Sequence, residues 1–251
     1  MTGYLDPPFA ALAHRGFSRD GLENSMAAFA AAVDLGFRYV ETDAHATADG
    51  YAVALHDATL DRTTDGHGRV RDLPWREVRE ARIGGVEPVP LLEDLLGAFP
   101  DVRVNIDVKE PTGVFPVAQA IERTRSHGRV LVASFAAARR RETLRRLTRP
   151  VAGSAGTAEI ARFLLDVRLG RPVSWLARRV DCLQVPTGAR GLTVVDERTV
   201  AAAHDAGLRV HVWTVNDPDR MRRLLDLGVD GLISDRADVL REVLEERGMW
   251  S

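Results

Sequence analysis

Val102-Arg103-Val104-Asn105-Ile106-Asp107-Val108-Lys109 is a short extended run, followed over 114–126 by a helical pattern. Along the run Asn105, Asp107 and Lys109 fall on one face and Ile106 and Val108 on the other, because side chains alternate across a strand. The polar face therefore ends in a carboxylate and an ammonium two residues apart. Lys109 is the only lysine in the chain; every other member of the 34 Lys+Arg is arginine. A compact ammonium and a planar guanidinium are not interchangeable beside a phosphate or a metal ion. The exception marks Asp107 and Lys109 as candidates for a site.

The same strand–helix unit recurs on either side. Extended runs are expected at a segment ending on His14, then at 37–43, 102–109, 130–134, 151–154, 182–185, 208–214 and 231–234. Helices are expected at 25–35, started by a Ser25 cap, then at 91–98, 114–126, 137–147, 157–168, 196–206, 218–227 and 237–247. One interval breaks the rhythm. After a short extended piece at Val53–His56, residues 57–90 carry Thr63-Thr64-Asp65-Gly66, Pro74, Gly84-Gly85, Pro88 and Pro90, and are expected to form an insertion after the second strand. Eight such units in a chain of 251 residues predict a parallel α/β sheet closed into a (β/α)8 TIM barrel, a single domain spanning 1–251. A doubly wound open sheet is the alternative, but no Gly-rich dinucleotide turn follows the first strand.

Composition narrows the function. A hydrophobic share of 45% and a charged share of 28% suit a chain that buries a large core. A net charge of -2 without a long run of one sign points to neither nucleic acid nor a polybasic membrane surface. The one cysteine, Cys182, excludes an internal disulfide framework and a cysteine-based zinc site. The N-terminus lacks the charge and apolar pattern of a signal peptide, and no stretch reaches the ~20 apolar residues of a membrane span. A cytoplasmic location without stable membrane insertion is the expectation.

In a barrel of this kind the C-terminal ends of the strands line the active site. Chemistry-bearing residues concentrate at the first three: His14 and Arg15, Glu41 and Asp43, His56 just beyond, then Asp107 and Lys109. Trp213 is expected among the later strand ends as a substrate contact. Glu41 and Asp43 point the same way from one strand, and Asp107 approaches from its neighbour. Three clustered carboxylates raise one another's pKa unless a cation sits among them. Oxygen-only ligands suit one hard divalent cation, Mg2+ or Ca2+ with Mn2+ as a further candidate, rather than zinc. Those carboxylates with one such cation, Arg15 and Lys109 leave a single positive charge, which a phosphodiester anion cancels. His14 and His56 supply two imidazoles able to move protons near neutral pH. His45, further along the face of Glu41 and Asp43, is expected at the rim.

Taken together these motifs resemble the glycerophosphodiester phosphodiesterase family of the phospholipase C-like phosphodiesterase superfamily. The matching residues are His14-Arg15-Gly16, Glu23-Asn24-Ser25, Glu41-Thr42-Asp43, His56-Asp57, Arg62-Thr63-Thr64, Asn105–Lys109, Val212-Trp213-Thr214-Val215-Asn216 and Ser234-Asp235. The resemblance implies a TIM barrel with a small insertion after the second strand. It implies one divalent metal at Glu41, Asp43 and Asp107, acid–base catalysis by His14 and His56, and phosphate contacts from Arg15 and Lys109. The implied reaction hydrolyses a small-molecule glycerophosphodiester to glycerol 3-phosphate and an alcohol. Asp107 stands where the family more often has Glu, as it does in the related sphingomyelinase D-type phospholipases. That keeps a second expectation in view, a phospholipase D-like enzyme acting on lysophospholipids or sphingolipids, for which Leu73, Trp75 and Ile83 of the insertion would supply an apolar rim.

Overall fold

The computed structural model describes residues 3–6, 8–18, 20–189 and 192–250. Its centre is a parallel sheet of β1 (Ala10–His14), β2 (Tyr39–Ala46), β3 (Arg103–Val108), β4 (Val130–Ala133), β5 (Ala152–Gly153), β6 (Cys182–Pro186), β7 (Arg209–Trp213) and β8 (Gly231–Ser234). Neighbours in sequence are neighbours in the sheet, and β8 pairs with β1. The ring closes between β5 and β6 through the parallel bridge of Ser154 with Cys182. Each strand leads to a helix: α1 (Met26–Asp34), α2 (Leu92–Ala98), α3 (Val114–Thr124), α4 (Ala137–Arg145), α5 (Thr157–Arg168), α6 (Glu197–Asp205), α7 (Pro218–Asp226) and α8 (Ala237–Glu246). Ser25 caps α1 by accepting from Ala28 N at 3.1 Å, and Asp217 caps α7 by accepting from Arg220 N at 2.7 Å ahead of Pro218. Both satisfy amides that an isolated helix start leaves open.

Strand alternation sorts the apolar residues into two layers. Val40, Val104, Ile106, Val132, Val185, Val212 and Leu232 face outward into the layer under the helices. Leu12, Tyr39, Leu131, Ala152, Cys182 and Ile233 face inward and fill the lumen. A single turn at Gly3–Leu5, not foreseen from the sequence, carries fully buried Tyr4 into the bottom of the barrel. There Tyr39 Oη donates to the Tyr4 carbonyl at 2.7 Å. Each such aliphatic side chain removed from water contributes about 1.5–3 kcal/mol before conformational entropy is counted. Gly231 pairs with His211 on the adjacent strand β7; a Cβ at Gly231 would lie 2.7 Å from the His211 ring and 2.8 Å from the Ala10 carbonyl, so no side chain fits.

The interval after β2 is the expected insertion. Ala52–Ala54 runs back antiparallel along the end of β2. Beyond it come a helical turn at Trp75–Val78 and a short antiparallel pair, Arg82–Ile83 with Glu87–Pro88. Leu55, Leu60, Val70, Val78 and Ile83 give this segment a core of its own. A second helical turn at Ser174–Ala177 was also not foreseen.

Candidate active site

Register brings the polar strand ends into one ring. His14 on β1 lies opposite Glu41 on β2, and β2 sets Glu41 against Asn105 and Asp43 against Asp107 on β3. These side chains, with Arg15, His56 and Lys109, line a cavity of about 390 Å³ at the C-terminal end of the barrel.

The turn after β1 is held by backbone that side chains rarely favour. Arg15 and Asn24 adopt φ of 56° and 61°, and left-handed conformations at such residues persist only where surroundings impose them. Gly16, at φ +82°, lets the turn press on α1, where a Cβ would fall 2.6 Å from Ala28 C. Asn24 N donates to the Arg15 carbonyl at 3.0 Å, and Arg15 N to Glu41 Oε2 at 3.2 Å. The Asn24 amide in turn donates to Asp43 Oδ2 at 3.1 Å.

Each histidine is steered by a carboxylate. His14 Nδ1 lies 2.6 Å from Asp235 Oδ1, and Asn216 Nδ2 donates to the other oxygen of Asp235 at 2.8 Å. His56 Nδ1 lies 2.6 Å from Asp57 Oδ1. Donation from Nδ1 leaves Nε2 of each ring as the nitrogen able to take up or give a proton. Arg62 binds Asp57 and reaches Glu23 Oε1 at 2.7 Å, while Arg15 Nη1 donates to the same oxygen at 2.9 Å. The Arg62 hydrogen bond and His56 hold the Asp57 carboxyl well below the usual range. Burial pulls the His14 imidazole down, but the Glu41 and Asp235 carboxylates outweigh it and raise its pKa. His45 is buried rather than at the rim, its Nε2 3.1 Å from the His56 carbonyl, beneath the segment that carries the second imidazole.

The cation at the carboxylates is Lys109. Its Nζ lies 2.6 Å from Asp43 Oδ1 and 2.8 Å from Asp107 Oδ2. Burial opposes the ammonium, but Asp107 and Asp43 raise its pKa, and Lys109 with Arg15 holds Asp43 below its ordinary value. Arg15 Nε sits 3.0 Å from Asp43 Oδ2. Glu41 accepts from Arg15 N and has His14 Nε2 at 3.7 Å, but burial and the Asp43 charge outweigh these contacts and push it up to about 7. Asp107 Oδ1 and Asn105 Oδ1 are buried without a hydrogen-bond partner, an expensive state for an oxygen. Among the described residues no three acidic, histidine or cysteine side chains already converge as a metal cluster. The donor set nevertheless fits a hard cation, since unmet demand resides on Glu41, Asp107 and Asn105, all oxygen donors.

The opposite wall is apolar. Phe135, Ile160, Leu164, Val194 and Trp213 line it, with the Phe135 and Trp213 rings T-shaped at 5.9 Å. Of these only Trp213 was expected, because the rest come from loops and from α5 rather than from strand ends. The apolar rim expected from the insertion is absent, as Ile83 is fully buried in the insertion's own core and Leu73 and Trp75 pack against it.

The model of the glycerophosphoryl diester phosphodiesterase family matches residues 14–239. The chain belongs to that family. It is accordingly a phosphoric diester hydrolase of the glycerophosphodiester phosphodiesterase class. It is 49% identical over 243 residues to "Probable glycerophosphodiester phosphodiesterase 2" of Mycobacterium tuberculosis, covering 96% of this chain and 92% of that one. It is 25% identical over 269 residues to "Lysophospholipase D GDPD1" of Mus musculus, covering 93% of this chain and 85% of the relative. Its fold matches that of an Oleispira antarctica phosphodiesterase solved in complex with the product sn-glycerol-3-phosphate, with a TM-score of 0.79 at 21% identity over 98% of this chain and all of the other. No helix among the described residues is long and apolar enough to cross a membrane.

Proposed function

We propose that this family member cleaves glycerophosphodiesters to glycerol 3-phosphate and an alcohol, with His14 and His56 as the acid–base pair and a divalent cation at Glu41, Asp43 and Asp107. The observation that carries the reading is the pair of imidazoles, each held at Nδ1 by a carboxylate, facing one cavity with Arg15 and Lys109. One imidazole Nε2 takes the proton of the attacking oxygen as it bonds to phosphorus. The other gives a proton to the departing alkoxide as the phosphorus–oxygen bond breaks. Asp235 and Asp57 keep the rings oriented and stabilise the imidazolium that forms. Arg15 and Lys109 offset the phosphate charge, which grows toward the transition state. A bound Mg2+, Ca2+ or Mn2+ would supply Lewis-acid neutralisation at the phosphate oxygens. Release of glycerol 3-phosphate from glycerophosphocholine tests this; full activity in both His14→Ala and His56→Ala would sink the proposed pair.

The apolar wall favours a second reading, a phospholipase D-like enzyme acting on lysophospholipids or sphingolipids, whose hydrocarbon chain is carried on the glycerol or sphingoid side of the phosphate. Phe135, Ile160, Leu164 and Val194 form a surface that glycerol does not need. Turnover of lysophospholipids at rates comparable with glycerophosphocholine would establish it. No lysolipid turnover would confine the enzyme to water-soluble diesters.

A further inference from the structure

The segment from Ile160 to Val180 holds five arginines, Arg162, Arg168, Arg171, Arg178 and Arg179, all exposed, and one acid, Asp166, which is buried. In sequence they are spaced out; the fold gathers Arg162, Arg171 and Arg179 around one scaffold. The Trp175 indole Nε1 donates to Asp166 Oδ2 at 3.1 Å, and Arg162 and Arg171 approach that carboxylate at 3.5 and 3.9 Å. Arg162 and Arg179 also stack on the Trp175 ring, their guanidinium carbons 4.3 and 5.7 Å from its centroid. Two guanidinium groups on one indole and a third beside Asp166 share a single carboxylate, and the positive charge left over is stabilised by an anionic surface.

Leucines stand beside the arginines. Leu165 is 53% exposed and Leu169 is 54% exposed, one turn apart at the end of α5. The adjoining face of the same helix supplies Ile160 and Leu164 to the apolar wall of the catalytic cavity. Arginines with a tryptophan and exposed leucines along one helical edge have the composition of a segment lying in a lipid interface. The chain as a whole carries a net charge of -2, so the basic charge of this segment is balanced by acids elsewhere.

We propose that α5 and the segment after it, with Arg162 and Arg179 stacked on Trp175, with exposed Arg168, Arg171 and Arg178, and with Leu165 and Leu169, dock the enzyme peripherally on an anionic phospholipid surface. The guanidinium groups meet lipid phosphates, for which their forked geometry is suited, and the leucines enter the headgroup boundary. Docking does not depend on which diester is hydrolysed.

Co-sedimentation with vesicles tests it. The full chain pellets with vesicles of phosphatidylglycerol and phosphatidylcholine in equal parts, stays in solution with phosphatidylcholine alone, and is released by about 0.5 M NaCl, where screening is strong. Each basic residue at such a surface is worth roughly fivefold in partitioning, so Arg168→Ser/Arg178→Ser lowers vesicle binding roughly 25-fold. Leu165→Ser/Leu169→Ser lowers it by about tenfold or more through lost apolar insertion. Both variants hydrolyse soluble glycerophosphocholine at the parental rate, which shows that they fold. Equal binding to both vesicle types, no binding to either, or undiminished binding by both variants would overturn the proposal. Retention by an acidic protein without vesicle binding would assign the edge to a protein partner instead.

Discussion

At the scale of single residues, the site is a set of charges that hold one another in place. His14→Ala or His56→Ala removes one of the two proposed proton-transfer groups and should lower turnover by about 10²–10⁴-fold. Asp57→Asn keeps the shape but removes the charge that orients His56; its loss should fall largely on kcat, with KM little changed, in steady-state assays. Lys109→Arg is the sharper case. Nζ bridges Asp43 and Asp107 at 2.6 and 2.8 Å as a compact point charge, a role that the planar fork of a guanidinium does not reproduce. The variant should lose most activity with its unfolding temperature unchanged, and retained activity would show the lone lysine to be incidental. His211 lies far from this chemistry, buried with its pKa pushed down to about 4. Its unfolded value is near 6.5, so between these values the unfolded chain binds the extra proton. Stability is therefore complete above about pH 6.5 and falls by on the order of 3 kcal/mol as pH drops to about 4. Urea midpoints against pH should show a shallower acid limb in His211→Asn. The sequence exposed His14, Glu41, Asp107 and Lys109 because strand ends and residue chemistry are local. It gave no sign that Lys109 would pair with Asp43, since that contact crosses from one strand to the next.

At the scale of elements, the strand–helix rhythm was readable because apolar alternation and helix caps are written in neighbouring residues. Bounds of the observed helices fall within one or two residues of expectation, as at α5 and α8. The turn at Gly3–Leu5 was not readable, because Tyr4 is fixed by the floor of a barrel built from later strands. The apolar wall escaped for a related reason: Phe135, Ile160 and Val194 meet only after α5 leans over the cavity. What ties α5 to α4 is a buried pair. Arg140, wholly buried, donates to Glu159 Oε2 at 2.7 Å and Oε1 at 3.2 Å, and Glu159 also accepts from Gly156 N at 3.0 Å at the start of α5. Arg140→Ala strands that carboxylate in the interior and should destabilise the fold by about 3–5 kcal/mol. Thermal unfolding in parallel with Arg145→Ala, whose exposed side chain pairs with Glu142 rather than with Glu159, separates the buried pair from a general loss of charge.

At the scale of the whole molecule, the closed barrel collects residues from the ends of its strands onto one rim, and the insertion after β2 adds His56 from outside the ring. Two buried oxygens without partners and a Glu41 raised to about 7 mark where a divalent cation would be held. The most direct measurement is the rate of glycerol 3-phosphate release from glycerophosphocholine by the chelated protein, before and after Mg2+, Ca2+ or Mn2+ is restored. The expected result is no release after chelation and full recovery with at least one ion, with His14→Ala/His56→Ala silent throughout. An undiminished rate in the chelated protein, or turnover by the doubly substituted variant, would contradict metal-dependent acid–base hydrolysis at this rim.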